Sequence, residues 1–295
     1  MAEASAAGHE QAGYALWCER TQRLLWADTA AAQLRAWSPA TGQLRAWRLP
    51  EPLCCFALTA SVERLLLGLA SRLAFLDLAT GALAPICDIG AGQPGVRLSD
   101  GRCDRQGRFV FGTGGGDARA PRGGFYRLNH DLSVERLPLG EATRAAAICF
   151  SPDGRTMYYA DTPAQAIRRC GYHPCSGEIT QPRPFVEAGA APGEPGGAAI
   201  DAEGCLWSAR PGAGQLLRFA TDGGIGRVLE LAAPRPGWPV FGGPDFGTLY
   251  LTAAPRDPVG KRRAMASPED GILALAPGVH GLAEQRFLGR LPSRA

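Results

Sequence analysis

The sequence predicts an all-β protein, a six-bladed β-propeller with four antiparallel strands per blade around a central channel, filling nearly all of its 295 residues. Three observations predict it. The 39 glycines and 24 prolines are spread along the whole chain and punctuate short apolar runs, the pattern of many hairpins and not of one linker. One unit recurs six times, and self-similarity at that scale marks a repeat architecture. No segment with helical periodicity runs longer than a turn or two.

The six units, in order, are "RLLWADTAAAQLRAWSPATGQLRAWRLP", "RLLLGLASRLAFLDLATGALAPICDI", "RFVFGTGGG…GGFYRLNHDLSVERLPL", "TMYYADTPAQAIRRCGYHPCSGEITQPRPF", "CLWSARPGAGQLLRFATDGGIGRVLEL" and "TLYLTAAP…GILALAPGVHGLAEQRFLG". In each, a hydrophobic strand leads through a loop to a second strand, and a tight turn such as "PATG", "LATG" or "ATDGG" returns the chain into a third. One further apolar run precedes each unit, as in "YALWCE", "CCFALT", "AAICFS" and "GGAAID", which makes four strands per repeat. Asp28, Gly68, Gly112, Asp161, Arg210 and Thr252 occupy equivalent places about 40 to 50 residues apart, the spacing of a propeller blade. The preceding runs are rich in small and β-branched residues, as suits innermost strands buried on both faces. They are expected near 14–19, 54–59, 101–104, 146–150, 197–201 and 238–242. One domain over 13–291 follows, with a flexible lead at 1–12 and a tail at 292–295.

Composition narrows the function. A net charge of +3, with its Lys and Arg scattered, gives no footprint for nucleic acid or an anionic membrane, and points to a small-molecule ligand. The opening "MAEASAAGHEQ" lacks the form of a signal peptide and no run of about 18 apolar residues occurs, which together predict a cytoplasmic protein. Nine cysteines without a C-x-x-C pair, with Cys18, Cys103, Cys170 and Cys205 in or beside strand-like runs, predict buried free thiols. "GTGGGDARAPRGG" does not lie between a strand and a helix, so it reads as a flexible loop and not a phosphate cradle. The basic run "RDPVGKRR" at 256–263 reads as a solvated loop.

The segments "RLLWADTAAAQLRAWSPATGQLRAWRLPEP", "LSDGRCDRQGRFVFGT", "FSPDGRTMYYADTPAQAI", "IDAEGCLWSA", "FGGPDFGTLYLTAA" and "PGVHGLAEQRFLG" resemble, in order and spacing, the regucalcin/gluconolactonase family of six-bladed propellers, which hydrolyse sugar lactones. The resemblance implies one divalent metal held by a Glu before the first inner strand, an Asn before the fourth and an Asp before the fifth. It implies an Arg-x-Asn-Asp-Gly segment before the third that grips substrate. Here the first becomes "GYALW", with Gly13 at the Glu position; the second becomes "AAA", with Ala146 for Asn; the third becomes "PGG", with Gly196 for Asp. The substrate segment becomes "RLSDG", keeping Arg97, Asp100 and Gly101 and substituting Ser99. A hard divalent ion needs several oxygen donors, so the expectation is no metal and no cofactor. Glu10 and Glu194 are the two carboxylates near enough in sequence to rebuild such a site.

By the same alignment the mouth of the channel is lined by Tyr14, Cys54, Cys55, Arg97, Ser99, Asp100, Arg144, Glu194 and Trp238. Arg97 is expected to hold an anionic or carbonyl oxygen and Asp100 to act as base or orienter, with Tyr14, Cys54, Ser99, Arg144, Glu194 and Trp238 binding substrate. The structural alternative is that Tyr14 and Trp238 plug the channel while Arg97 and Asp100 pair with each other. None of His9, His130, His173 or His280 aligns beside Cys54 or Cys55, which leaves neither thiol with a base. Two function classes follow: a lactonase-like enzyme working by metal-independent acid/base chemistry, or a non-catalytic propeller that binds a metabolite or protein. Non-hydrolytic chemistry on the same scaffold, by a lyase, isomerase or cyclase, is the third possibility.

Overall fold

The computed structural model describes residues 2–4, 12–117, 119–231, 233, 235–253 and 271–291. Glu10, His9, the basic run 256–263 and the tail 292–295 lie outside the described residues. The fold is a six-bladed β-propeller: the strands form six four-stranded antiparallel sheets, the blades, and the one helical element among the described residues is a single 3-10 turn at Thr162–Ala164. The inner strands are Ala12–Cys18, Leu53–Leu58, Arg97–Cys103, Ala145–Phe150, Ala198–Ile200 and Pro236–Gly242, where the apolar runs placed them. The blades are numbered 1 to 6 in that order.

The chain divides into two compact units, each contributing three blades. Blades 1, 5 and 6 belong to the first unit, Met1–Pro52 with Gly189–Ala283. Blades 2, 3 and 4 belong to the second, Leu53–Ala188 with Glu284–Ala295.

In the first unit, aromatic side chains pack blade on blade. Trp17 of blade 1 stacks on Tyr250 of blade 6 with ring centroids 5.5 Å apart, and a Cβ on Gly242 would meet the Trp17 ring at 2.6 Å. Glycine at 242 is therefore what lets the indole lie flat on the inner strand of blade 6. Blade 5 meets blade 6 through Ala199, Trp207, Ala209 and Leu216 against Phe241, Leu249 and Leu251. The sixth blade departs from expectation. Its outermost strand does not come from the "GLAEQRFLG" end of the sixth unit; it is Ala2–Ala4, inside the lead expected to be flexible, paired antiparallel with Ile272–Leu275.

In the second unit, blades 3 and 4 share a core of Val110, Phe125 and Ala145 with Ile148, Phe150, Met157 and Tyr159. The residues 284–291, which lack regular strand, strap blades 2 and 3: Phe287 N–H donates to Leu58 O at 2.8 Å, Leu288 N–H to Gly107 O at 2.9 Å, and the fully buried Phe287 ring packs on Phe75. Each inner strand of blades 3 and 5 ends in the same turn. Asp104 Oδ1 accepts the N–H groups of Gln106 and Arg108, and Asp201 Oδ1 those of Glu203 and Cys205. That is why "CDRQGR" and "IDAEGC" read alike: an Asp collects the loose N–H groups while Gly107 and Gly204, at φ of 79° and 80°, turn the chain.

Burial falls off from inner to outer strands. All six residues of Ala145–Phe150 are buried, whereas most of Leu44–Arg48 and Ile225–Glu230 is exposed. All nine cysteines are free thiols, and Cys18, Cys103, Cys170 and Cys205 are buried, as their surroundings in sequence indicated. No helix among the described residues is long and apolar enough to cross a membrane.

Candidate active site

In the second unit, the mouth end of blade 3 brings several of the expected residues together. Arg97, first in its strand, is exposed. The ladder shifts register between Leu98 and Asp100, which leaves Ser99 out of the pairing, and Ser99 Oγ donates to Ala145 O of blade 4 at 2.7 Å. Asp100 is 2% exposed. Its Oδ1 accepts the Gly101 N–H at 2.7 Å and its Oδ2 the Ile148 N–H at 3.0 Å. No ion pair joins Arg97 to Asp100 among the described residues, so the structural alternative of a mutual tie is not what forms.

The Ile148 N–H reaches Asp100 because of the three alanines. Ala147 adopts φ of 58°, in the left-handed region, and the ladder of blade 4 shifts register between Ala146 and Cys149. A left-handed alanine costs about 1 kcal/mol, and the bulge it makes turns the next N–H toward the carboxylate. Glycine is required after Asp100, since a Cβ on Gly101 would lie 2.5 Å from the Phe109 ring.

Two buried thiols nearby, Cys55 and Cys149, stay protonated. Cys54 is half-buried. Burial, then the adjacent Cys54 and Asp100, push the Cys55 thiol well up. Cys149 is pushed up to about 12, chiefly by burial, although Arg102 Nη1 donates to its Sγ at 2.9 Å. Arg102 also pairs with Glu284 at 3.3 Å. Cys55 and Cys149 therefore supply no thiolate nucleophile at neutral pH. Sequence reasoning missed this Arg102–Glu284–Cys149 group, because its members come from residues 102, 149 and 284.

In the first unit, Tyr14 is buried and its ring lies 6.2 Å from that of the half-buried Trp238. Thr252 joins the two strands: its Oγ1 accepts the Trp238 N–H at 2.8 Å and donates to Gly13 O at 2.9 Å. Trp238 lies directly on Gly197, where a Cβ would come within 2.5 Å of the indole. Glu194 is half-buried in the loop before the inner strand of blade 5. Arg210, fully buried, was read from sequence only as a repeat position. Its Nη1 reaches Gly193 O at 3.5 Å, its Nε and Nη2 have no hydrogen-bond partner among the described residues, and burial pushes its pKa down to about 10.

The positions where the resemblance implies metal donors do not fit a divalent cation. A Cβ on Gly13 would stand 2.9 Å from Thr29 Oγ1, and one on Gly196 3.0 Å from the Pro211 ring, so neighbours fill the space in which a Glu or Asp side chain would begin. Ala146 offers a methyl group, 5% exposed and paired with Ala160. Among the described residues no group of three or more His, Cys, Asp or Glu side chains is placed to hold a metal ion.

Residues 14–255 match the SMP-30/gluconolactonase/LRE-like region. The chain is 40% identical over 278 residues to an L-arabinolactonase of Azospirillum brasilense, covering 93% of this chain and 91% of that one. It is 31% identical over 281 residues to a 6-deoxy-6-sulfogluconolactonase of Pseudomonas putida, covering 93% and 94%. Among solved structures, a calcium-binding regucalcin of Agrobacterium tumefaciens superposes with a TM-score of 0.87 at 27% identity, covering 97% of this chain and 96% of the other. A luciferin-regenerating enzyme superposes with a TM-score of 0.85 over 95% and 96%, and at 22% identity that likeness speaks to the fold.

Proposed function

Since the chain belongs to the SMP-30/gluconolactonase/LRE-like family, we propose that it is a lactonase, opening the ring ester of a small sugar lactone in the cytoplasm, where its nine free cysteines stay reduced. The observation that carries the reading is the 40% identity to an L-arabinolactonase along nearly the full length of both chains.

The chemistry assigned to the second unit is metal-independent. Water adds to the lactone carbonyl carbon, the tetrahedral oxyanion collapses, the ring C–O bond breaks and the departing ring oxygen takes up a proton. The exposed Arg97 guanidinium holds the carbonyl oxygen and the oxyanion that develops on it. Asp100 is fixed by two backbone N–H groups, and it orients the water and accepts its proton. Ser99, Arg144 and Cys54 line the same end of blades 2 to 4 and contact the substrate. In the first unit, Tyr14 and Trp238 offer aromatic faces and Glu194 a carboxylate to a sugar.

A non-catalytic small-molecule binder is the second reading, favoured by the near-complete burial of Asp100. Proton release from a panel of five- and six-carbon aldonolactones, followed with and without chelator, separates the two. We expect hydrolysis that persists in chelator and falls by about 100-fold in Arg97→Ala, the scale of a lost oxyanion donor. Hydrolysis abolished by chelator sinks the metal-independent mechanism, and no hydrolysis of any lactone sinks the enzyme.

A further inference from the structure

In the first unit, one cation is buried with a whole edge of its guanidinium unused. Arg210 closes the second strand of blade 5, Leu206–Arg210, and is 0% exposed. Its Nη1 reaches Gly193 O at 3.5 Å, the far limit of a hydrogen bond, while Nε and Nη2 have no hydrogen-bond partner among the described residues. Nε and Nη2 lie side by side on one edge of the planar group, where they form a fork that donates to two oxygens at once. The unused donors are therefore a matched pair.

The acidic groups of blade 5 are committed elsewhere. Asp201 and Glu203 take the guanidinium of Arg218, which lies on the opposite face of the sheet. Gln215, directly across the ladder from Arg210, donates Nε2 to Glu230 Oε1 of the next strand at 2.7 Å. Among the described residues no carboxylate forms an ion pair with Arg210, and burial is the one cause of its lowered pKa. On its ring side lies Phe219, 5.3 Å away. The segment 189–196 lies on the arginine through Gly193, whose missing Cβ would stand 3.3 Å from Arg210 Cβ and 3.0 Å from Ala213 Cβ. Gly189 and Gly193, at φ of 78° and 71°, turn this segment, and Gly189, Ala190 and Pro192 are exposed. It leads directly into Gly197, on which the Trp238 ring rests.

We propose that the Nε/Nη2 edge of Arg210 binds the carboxylate of a sugar acid, with segment 189–196 giving way to admit it. The inference rests on the lactonase reading above for the identity of the acid, since ring opening turns a neutral ester into a carboxylate. A desolvated guanidinium gains far more from an ionised acceptor with two oxygens than from one carbonyl at the limit of its reach. A carboxylate is planar and singly charged, so one arginine pairs with it completely. A phosphate dianion brings a second charge that nothing on the Phe219 side compensates. The lactone itself has no anion to offer, so the site takes the acid and not the ester.

The test uses titration calorimetry and thermal melts of the full chain with acetate, a five-carbon aldonate, phosphate and, as a neutral control, a five-carbon alditol, all at one ionic strength. The expected result is a rise in melting temperature of about 2 °C or more at saturating aldonate, with none from the alditol. Arg210→Met, which keeps the stem and removes the charge, should weaken aldonate and acetate binding by about tenfold or more, the scale of a lost charge-assisted pair. Arg210→Lys keeps the charge without the fork and should weaken both by about threefold or more. Carboxylate binding that is unchanged in Arg210→Met or Arg210→Lys overturns the inference, and so does the absence of carboxylate binding to the wild type. Phosphate bound more tightly than acetate overturns the assignment to a carboxylate. None of these measurements uses turnover, so the lactonase reading stands or falls separately, on lactone hydrolysis.

Discussion

Ala147 holds a backbone conformation that L-residues avoid, and it does so fully buried, with φ of 58°. Glycine would adopt that conformation without steric cost, so substitution there should not behave like an ordinary alanine-to-glycine change in a strand. We expect Ala147→Gly to be less destabilising than Ala146→Gly, one residue earlier, by about 1 kcal/mol in denaturant unfolding. Equal losses at the two positions would mean that the left-handed turn carries no strain. The resemblance put Gly13, Ala146 and Gly196 at the positions where the family's donors are expected. It did not show that Thr29 and Pro211 fill the space beside Gly13 and Gly196, nor that Arg122 folds back to Gly95. Those approaches depend on rotamers and on loops whose course no local pattern encodes.

At the scale of the element, the second strand of blade 5 ends on a guanidinium that forms no ion pair among the described residues. The face of Arg210 carries Ser208, Leu217 and Phe219, and the charge lies 5.3 Å from the Phe219 ring, with Nε and Nη2 unbonded among the described residues. A depressed pKa of about 10, against an ordinary 12.5, means the unfolded chain holds that proton more tightly than the folded one. The burden is therefore present in full at neutral pH and is relieved as pH climbs through 10, a sign opposite to that of a paired arginine. Arg210→Met keeps the stem and removes the charge, and should raise stability by about 1–3 kcal/mol at neutral pH. It should also remove the wild type's gain in stability above pH 10, both read from unfolding curves across pH. A variant less stable than wild type at neutral pH would show that the guanidinium is held by something that its missing hydrogen bonds do not reveal. Strand identity was legible here from "CLWSARPGAGQLLRF", since the alternation and the turn residues are local. The burden on Arg210 was not, because burial of one position is a property of what packs on it.

For the whole molecule, six repeats of similar length made the fold readable, and both the inner strands and the turns that close each blade fall where the pattern put them. The exception is the outer strand of blade 6. Ala2–Ala4 is too short to carry a period, and its partner Ile272–Leu275 lies at the far end of the sequence, so no window of residues contains the pairing. Deleting residues 2–4 should lower stability by about 1–3 kcal/mol, the scale of a few backbone hydrogen bonds lost from one sheet edge. Thermal melts check it, and an unchanged melting temperature would show the strand to be dispensable. The pairing of Ala2 with Ala274 also sets a schedule for biosynthesis. At roughly 5–20 residues per second, a ribosome takes on the order of 15 to 50 seconds to make the chain between them. Throughout that interval residues 2–4 wait with no mate, because the place reserved for them in the sixth blade is not yet made.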